Sequence, residues 1–233
     1  MGKGRSRDPF ELLVRRGDPG RLLELFQQMS ERFAAACADS AKAVAAQPGD
    51  GPAVSARGNL RRLHLDRAFK SAASHAGFHV VTNFTTPASW NFPVVRLGAF
   101  SLTLGIVQRT RPGGPRRLRT RGTYAHDLAM RNQTVNPQGS LLEDRPGVVE
   151  VIPDGSLGAF VVIETSVHVP DSPIYVGLLV PSPDLRRTFY RVSLERLIGQ
   201  LEERVGKARK PVRKSIERKK PKLRKKPKRP RGE

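Results

Sequence analysis

A single cysteine in 233 residues, Cys37, rules out an intramolecular disulfide framework. It fits a reducing compartment, and a cytoplasmic or nucleoid-associated protein is expected. Cysteine or histidine pairs at metal-ligand spacing are missing: there is no CxxC and no HExxH. The Walker A loop, the GxGxxG fingerprint and the GxSxG elbow are missing too. No cofactor or metal is therefore expected. No apolar run reaches the roughly 18–20 residues of a membrane span. Met1–Arg7 is basic, but Leu alternating with Glu and Arg follows it, which is unlike a secretory signal. Aromatic residues make up only 6% of the chain, and none lies between Lys207 and Glu233.

Positive charge is abundant instead. Lys and Arg number 42 against 21 Asp and Glu, a formal net charge of +21. The excess is concentrated in two blocks. From Lys207 to Glu233 there are 15 basic and 2 acidic residues. Four prolines and few apolar side chains in this stretch predict a disordered tail that cannot offset its ordering entropy by burial. The tail cations include Arg213, Lys214, Arg218, Lys219, Lys220, Lys222, Arg224, Lys225, Lys226, Lys228, Arg229 and Arg231. The second block is Arg109, Arg111, Arg116, Arg117, Arg119 and Arg121, with no acid among them and Pro112-Gly113-Gly114-Pro115 at its centre. The prolines and glycines predict an irregular loop. Planar guanidinium forks match phosphate oxygens, so both blocks point to DNA or RNA as partner. A solvated charge run, an anionic membrane surface and a protein partner are the competing readings. The tail lacks aromatics to stack on bases, which predicts charge-driven contact without sequence readout. Ala, Arg, Gly and Pro are frequent, as in GC-rich bacterial or phage genomes; in a eukaryote, Lys219–Arg231 would resemble a nuclear import signal.

The remaining sequence predicts an α+β fold with a mostly antiparallel sheet packed against helices. Residues 1–17 read as a loose basic leader and 18–52 as a helix and linker. Residues 53–206 read as the α+β domain, and 207–233 as the tail. Asp18-Pro19 opens a helix whose apolar face is Leu22, Phe26, Met29, Phe33 and Cys37. It fades before the Pro48–Pro52 breaker. A second helix is expected over Asn59–His75, closed by Gly77. Strands are expected at Phe78–Phe84, Val94–Leu97 and Phe100–Val107, the last with one covered face. A short helix follows over Thr123–Gln133. Strands at Leu157–Val169, Ile174–Val180 and Thr188–Val192 precede a last helix, Ser193–Val205, capped by Ser193. Grouped strands, rather than strict strand–helix alternation, underlie the α+β assignment.

Three constellations are candidates for chemistry. Tyr124, His126 and Arg131 on the short helix, beside the arginine block, contain the side-chain types of a metal-independent ribonuclease toxin. His79, Glu164 and His168 would meet if their two strands were neighbours, and would suit acid–base chemistry. Trp90, in Thr85–Pro93, reads as part of a packed loop, with a base-stacking platform as the alternative. Cys37, on an apolar helix face, reads as a buried structural thiol.

Ser89-Trp90-Asn91-Phe92-Pro93, the strand Phe100–Val107 and the pattern Tyr124-x3-Leu128-Ala129-x2-Asn132-Gln133 resemble uncharacterised bacterial proteins associated with ImmA/IrrE-type metallopeptidase neighbours. The resemblance covers about the middle half of the chain. It implies a regulatory or mobile-element setting and carries over no catalytic residue. Taken together, the sequence predicts a non-enzymatic, regulatory or accessory nucleic-acid-associated protein. A ribonuclease toxin, or a protein–protein regulator with an incidental tail, is the alternative.

Overall fold

The computed structural model describes residues 9–46, 53–84, 91–109, 116–118, 123–135, 156–166 and 169–209. Helix α2 (Pro19–Ala45) starts at the expected signal: the Asp18 carboxylate accepts the Gly20 N–H at 2.9 Å, and Pro19 occupies the first turn. Its stripe Leu22, Leu25, Phe26, Met29, Phe33 and Cys37 is fully buried. The leader expected before it is corrected in part, because Pro9–Arg16 forms helix α1. Phe10, Leu13 and Val14 recur at helical spacing and enter the same core as α2. Helix α3 (Ala53–His75) starts earlier than Asn59 and ends as expected at Gly77. There the Phe78 N–H reaches the Ala73 carbonyl at 2.8 Å and the Gly77 N–H reaches that of Ser74 at 3.0 Å. Gly77 has φ +73°, the left-handed conformation such a helix stop requires.

Seven strands follow among the described residues: β1 (Val80–Phe84), β2 (Asn91–Leu97), β3 (Phe100–Arg109), β4 (Arg116–Leu118), β5 (Leu157–Thr165), β6 (Pro173–Pro181) and β7 (Thr188–Ser193). Helix α4 (Thr123–Met130) and a 3-10 turn (Arg131–Val135) lie between β4 and β5, and α5 (Leu194–Arg209) closes the described chain. The sheet order is β1-β2-β3-β5-β6-β7, with β4 paired to β3. All pairs are antiparallel except β3 with β5, which run parallel from Phe100↔Leu157 to Ile106↔Ile163. The fold is α+β and mostly antiparallel, as the sequence predicts.

The parallel pair corrects one expectation. The sequence predicts one covered face for β3, but the chain returns from it through α4 and covers the second. Leu102, Leu104, Val161 and Ile163 join α1, α2, α3 and α5 in the main core. Val107, Phe160, Val162 and Leu179 face the other way and pack with Ala125 and Leu128 of α4. Strand β5 is consequently buried from Leu157 through Glu164, the pattern of a strand covered on both sides.

Two polar devices hold the centre of the sheet. Pro93, inside β2, has no N–H to donate, and the β2–β3 ladder stops at Val94↔Thr103. Beyond it the Thr103 hydroxyl donates to the Pro93 carbonyl at 2.6 Å, and the Arg62 guanidinium donates to the Leu104 carbonyl at 3.3 Å. On the other face, fully buried Asn132 acts as a wedge between β5 and β6. Its amide donates to the Gly158 and Pro181 carbonyls, both at 2.9 Å, and its oxygen accepts the Gly158 N–H at 2.7 Å.

Candidate functional site

The arginine block is not wholly a loop. Residues 116–118 form β4, antiparallel to the end of β3, with Val107↔Leu118, Gln108↔Arg117 and Arg109↔Arg116 as Cα partners. The expectation of irregular structure fails there because Leu118 has a place to bury. Its Cδ1 would lie 2.7 Å from a Cβ on Gly105, so only a glycine at this point of β3 admits it. Leu118 thereby packs on the smaller core with Phe160 and Val162. The anchored hairpin sets Arg109 directly opposite Arg116. Like charges directly opposite one another in an antiparallel pair are destabilising. Arg111, Arg119 and Arg121 lie outside the described residues.

A further basic group belongs to this end of the sheet and was missed in the sequence. Arg61, on α3, donates to the Thr165 hydroxyl at 2.7 Å and to the Pro170 carbonyl at 3.4 Å, just past the end of β5. The only sequence signal was an Arg61-Arg62 doublet on a helix, which composition alone does not distinguish from a solvated pair. Arg62 is used internally, bonded to Asp66 at 3.1 Å as well as to Leu104.

Helix α5 ends toward the opposite end of the sheet. Arg21, near the start of α2, bonds the carbonyls of Ala76 and Gly77, beside the beginning of β1. Through Val80↔Val95 and Val95↔Leu102, that is the Phe100 end of β3. Glu202 of α5 meets Gln27 of α2, and Arg204 forms a two-pronged bond with Glu11 of α1, at 2.7 and 2.9 Å. The Glu11 carboxylate holds the exposed Arg204 guanidinium above its ordinary pKa. Helix α5 continues to Arg209, past the expected stop at Val205, so the first tail residues are helical. Arg213 and every tail cation after it lie outside the described residues. The hairpin and the end of α5 thus lie toward opposite ends of β3, whose 10 residues span about 33 Å.

The other constellations are not assembled. Tyr124 is half-buried and its ring lies 4.5 Å from that of Phe92, tilted by 30°. His126, two residues on and so about 200° around the helix, is exposed. Arg131, in the 3-10 turn, donates to the Ser101 hydroxyl at 3.3 Å. The three do not converge on one surface. His79 and Glu164 are also apart, because β2 and β3 intervene between β1 and β5. The condition on which they would meet is not fulfilled, since the chain places β3 beside β5 by the parallel return. Glu164 is buried opposite Tyr175 in the β5–β6 register, and His168 and Trp90 lie outside the described residues. Burial raises the Cys37 thiol pKa, with the Arg61 charge opposing and the Asp171 charge adding. That is the environment of an inert structural thiol.

Among the described residues, no group of three His, Cys, Asp or Glu side chains is placed to hold a metal, and no helix is long and apolar enough to cross a membrane. Compared with protein-family models, curated proteins and solved structures, the chain matches none.

Proposed function

We propose that this protein binds the phosphate backbone of DNA or RNA without catalysing a reaction on it, in a regulatory or accessory role. The observation that carries the reading is the cross-strand register Arg109↔Arg116 in a hairpin pinned by Leu118 over Gly105. Building two cations onto one rung of a ladder costs stability in the free protein, and a phosphate group between them removes that cost. The second support is the charge of the C-terminal segment, 15 Lys and Arg against 2 Glu. Such a segment binds polyanions by releasing condensed counterions. The separation of Tyr124 from His126 supports this reading over the ribonuclease alternative, which needs both groups on one scissile phosphate.

The test is duplex binding over a salt series, comparing the full chain with a chain ending at Arg209, which keeps α5 whole. Affinity of the full chain falls steeply with salt. The log–log slope drops by about 0.9 for every phosphate that is no longer neutralised, so the shortened chain gives a flatter line. Arg109→Ala with Arg116→Ala in the full chain lowers the slope by about 2. If neither chain binds duplex or single strand at low salt, the reading is wrong. Strand cleavage abolished by His126→Ala would replace it with the ribonuclease reading.

A further inference from the structure

The two outer strands of the sheet are built differently. Strand β7 is flanked and interrupted by Arg186, Arg187 and Arg191, all exposed. Charge on an outer strand is the usual device that stops another chain from adding to it. Strand β1, the other edge, has no such protection. From Gly77 to Val95 the sequence runs 19 residues without Lys, Arg, Asp or Glu, where the chain's 27% average would place about five. Thr82, Asn83 and Phe84 are exposed, Phe84 at 67% and Val81 at 38%. Among the described residues, β1 pairs only with β2, and its other edge has no backbone partner among them.

We infer that β1 is a dimerisation edge, at which a second copy of this chain adds its own β1 antiparallel and joins two sheets into one. Charge selects the occupant. At +21, two copies repel one another over most of their surface. The β1 edge is where they can approach without opposed cations. An acidic partner would be drawn to the basic surfaces rather than to an uncharged strand. The side chains are also self-complementary. With the two-fold axis at Thr82, each Phe84 faces Val80 of the second copy, Val81 faces Asn83, and Thr82 faces Thr82. Aromatic with β-branched and Thr with Thr are favourable cross-strand pairs. Five residues per copy make a small interface, so the dimer is reversible, with a dissociation constant on the order of 10 µM. The axis stands perpendicular to the joined sheet. It brings the β3–β4 hairpin of one copy to the same end as the α5 terminus of the other.

Sedimentation equilibrium of the nuclease-treated full chain tests this, in about 0.5 M salt to screen the net charge. The mass should rise from 25.8 kDa towards twice that value with concentration. Thr82→Lys, at an exposed position that keeps the ladder to β2, places two cations on the axis and should hold the chain at the monomer mass with an unchanged circular dichroism spectrum and Tm. Mixing Thr82→Lys with Thr82→Glu should restore the doubled mass. A full chain that stays monomeric at every concentration overturns the proposal, as it would if residues 136–155 of the same chain covered the edge. It is equally overturned if Thr82→Lys leaves the dimer intact, or if the Lys and Glu variants fail to reassemble. No nucleic acid is present, so the result is independent of the binding function proposed above.

Discussion

At the scale of single residues, the turn between β6 and β7 concentrates two testable effects. Leu185 has φ +59°, a left-handed conformation that costs a branched L residue about 1–2 kcal/mol. Glycine relieves that strain but loses more entropy on folding. Leu185→Gly should therefore stabilise the fold by a net 0.5 kcal/mol or so, seen as a Tm rise of about 1–2 °C. A Tm that falls would show that the half-buried leucine side chain outweighs its backbone. One residue earlier, the Asp184 carboxylate accepts the Ser182 hydroxyl at 2.5 Å and the Arg186 N–H at 3.1 Å. These bonds hold its pKa below the usual 3.8. A carboxylate whose folded pKa is depressed stabilises the fold above its unfolded pKa, and that contribution is lost as pH falls through the folded value. Urea unfolding should thus lose a component as pH falls below about 4 that Asp184→Asn lacks. Caps such as Asp18 and Ser193 were legible in the sequence because their chemistry is local; the Arg196 N–H does lie 3.3 Å from the Ser193 hydroxyl. Leu185 was not, because no Gly or Asn marks its turn.

At the scale of elements, apolar periodicity located α2, β3, β6 and α5 to within a few residues, since each carries its own buried stripe. Two kinds of element escaped it. Strand β4 has three residues and is anchored by the partly buried Leu118, so its existence depends on the space above Gly105 in a different strand. Gly105→Val should displace Leu118 and release the hairpin, costing about 1–2 kcal/mol of stability. It should also flatten the salt dependence of nucleic-acid binding as much as removing Arg109 and Arg116 does. An unchanged slope would separate the arginines from the hairpin that presents them. The second hidden element is the wedge at Asn132. Its helix-side position was readable, but its three bonds to Gly158 and Pro181 depend on β6 lying next to β5. Asn132→Ala removes three buried hydrogen bonds to two carbonyls and an N–H, and should cost about 3 kcal/mol in denaturant unfolding. A cost below about 1 kcal/mol would mean that water replaces the amide.

At the scale of the whole molecule, the parallel junction of β3 with β5 was the feature least accessible to sequence reasoning. Nothing in either strand encodes its neighbour, and the grouped order of strands argued for a mostly antiparallel sheet without saying which pair would run parallel. The junction fixes where the charge goes. It leaves the arginine hairpin at the Arg109 end of β3, while α5, bound through Arg204 and Glu11 to the first helix, ends toward the Phe100 end. The length of β3, about 33 Å, corresponds to roughly 10 base pairs of B-form duplex at 3.4 Å each. A duplex shorter than that engages one basic surface at a time, whereas a longer one engages both and gains from effective concentration. The full chain should therefore bind a 24-base-pair duplex at least about tenfold more tightly per site than an 8-base-pair duplex, and the chain ending at Arg209 should show no comparable gain. Fluorescence anisotropy at fixed salt measures both. Equal length dependence in the two chains would mean that hairpin and tail do not act on the same nucleic acid, and would leave the tail as an independent electrostatic anchor.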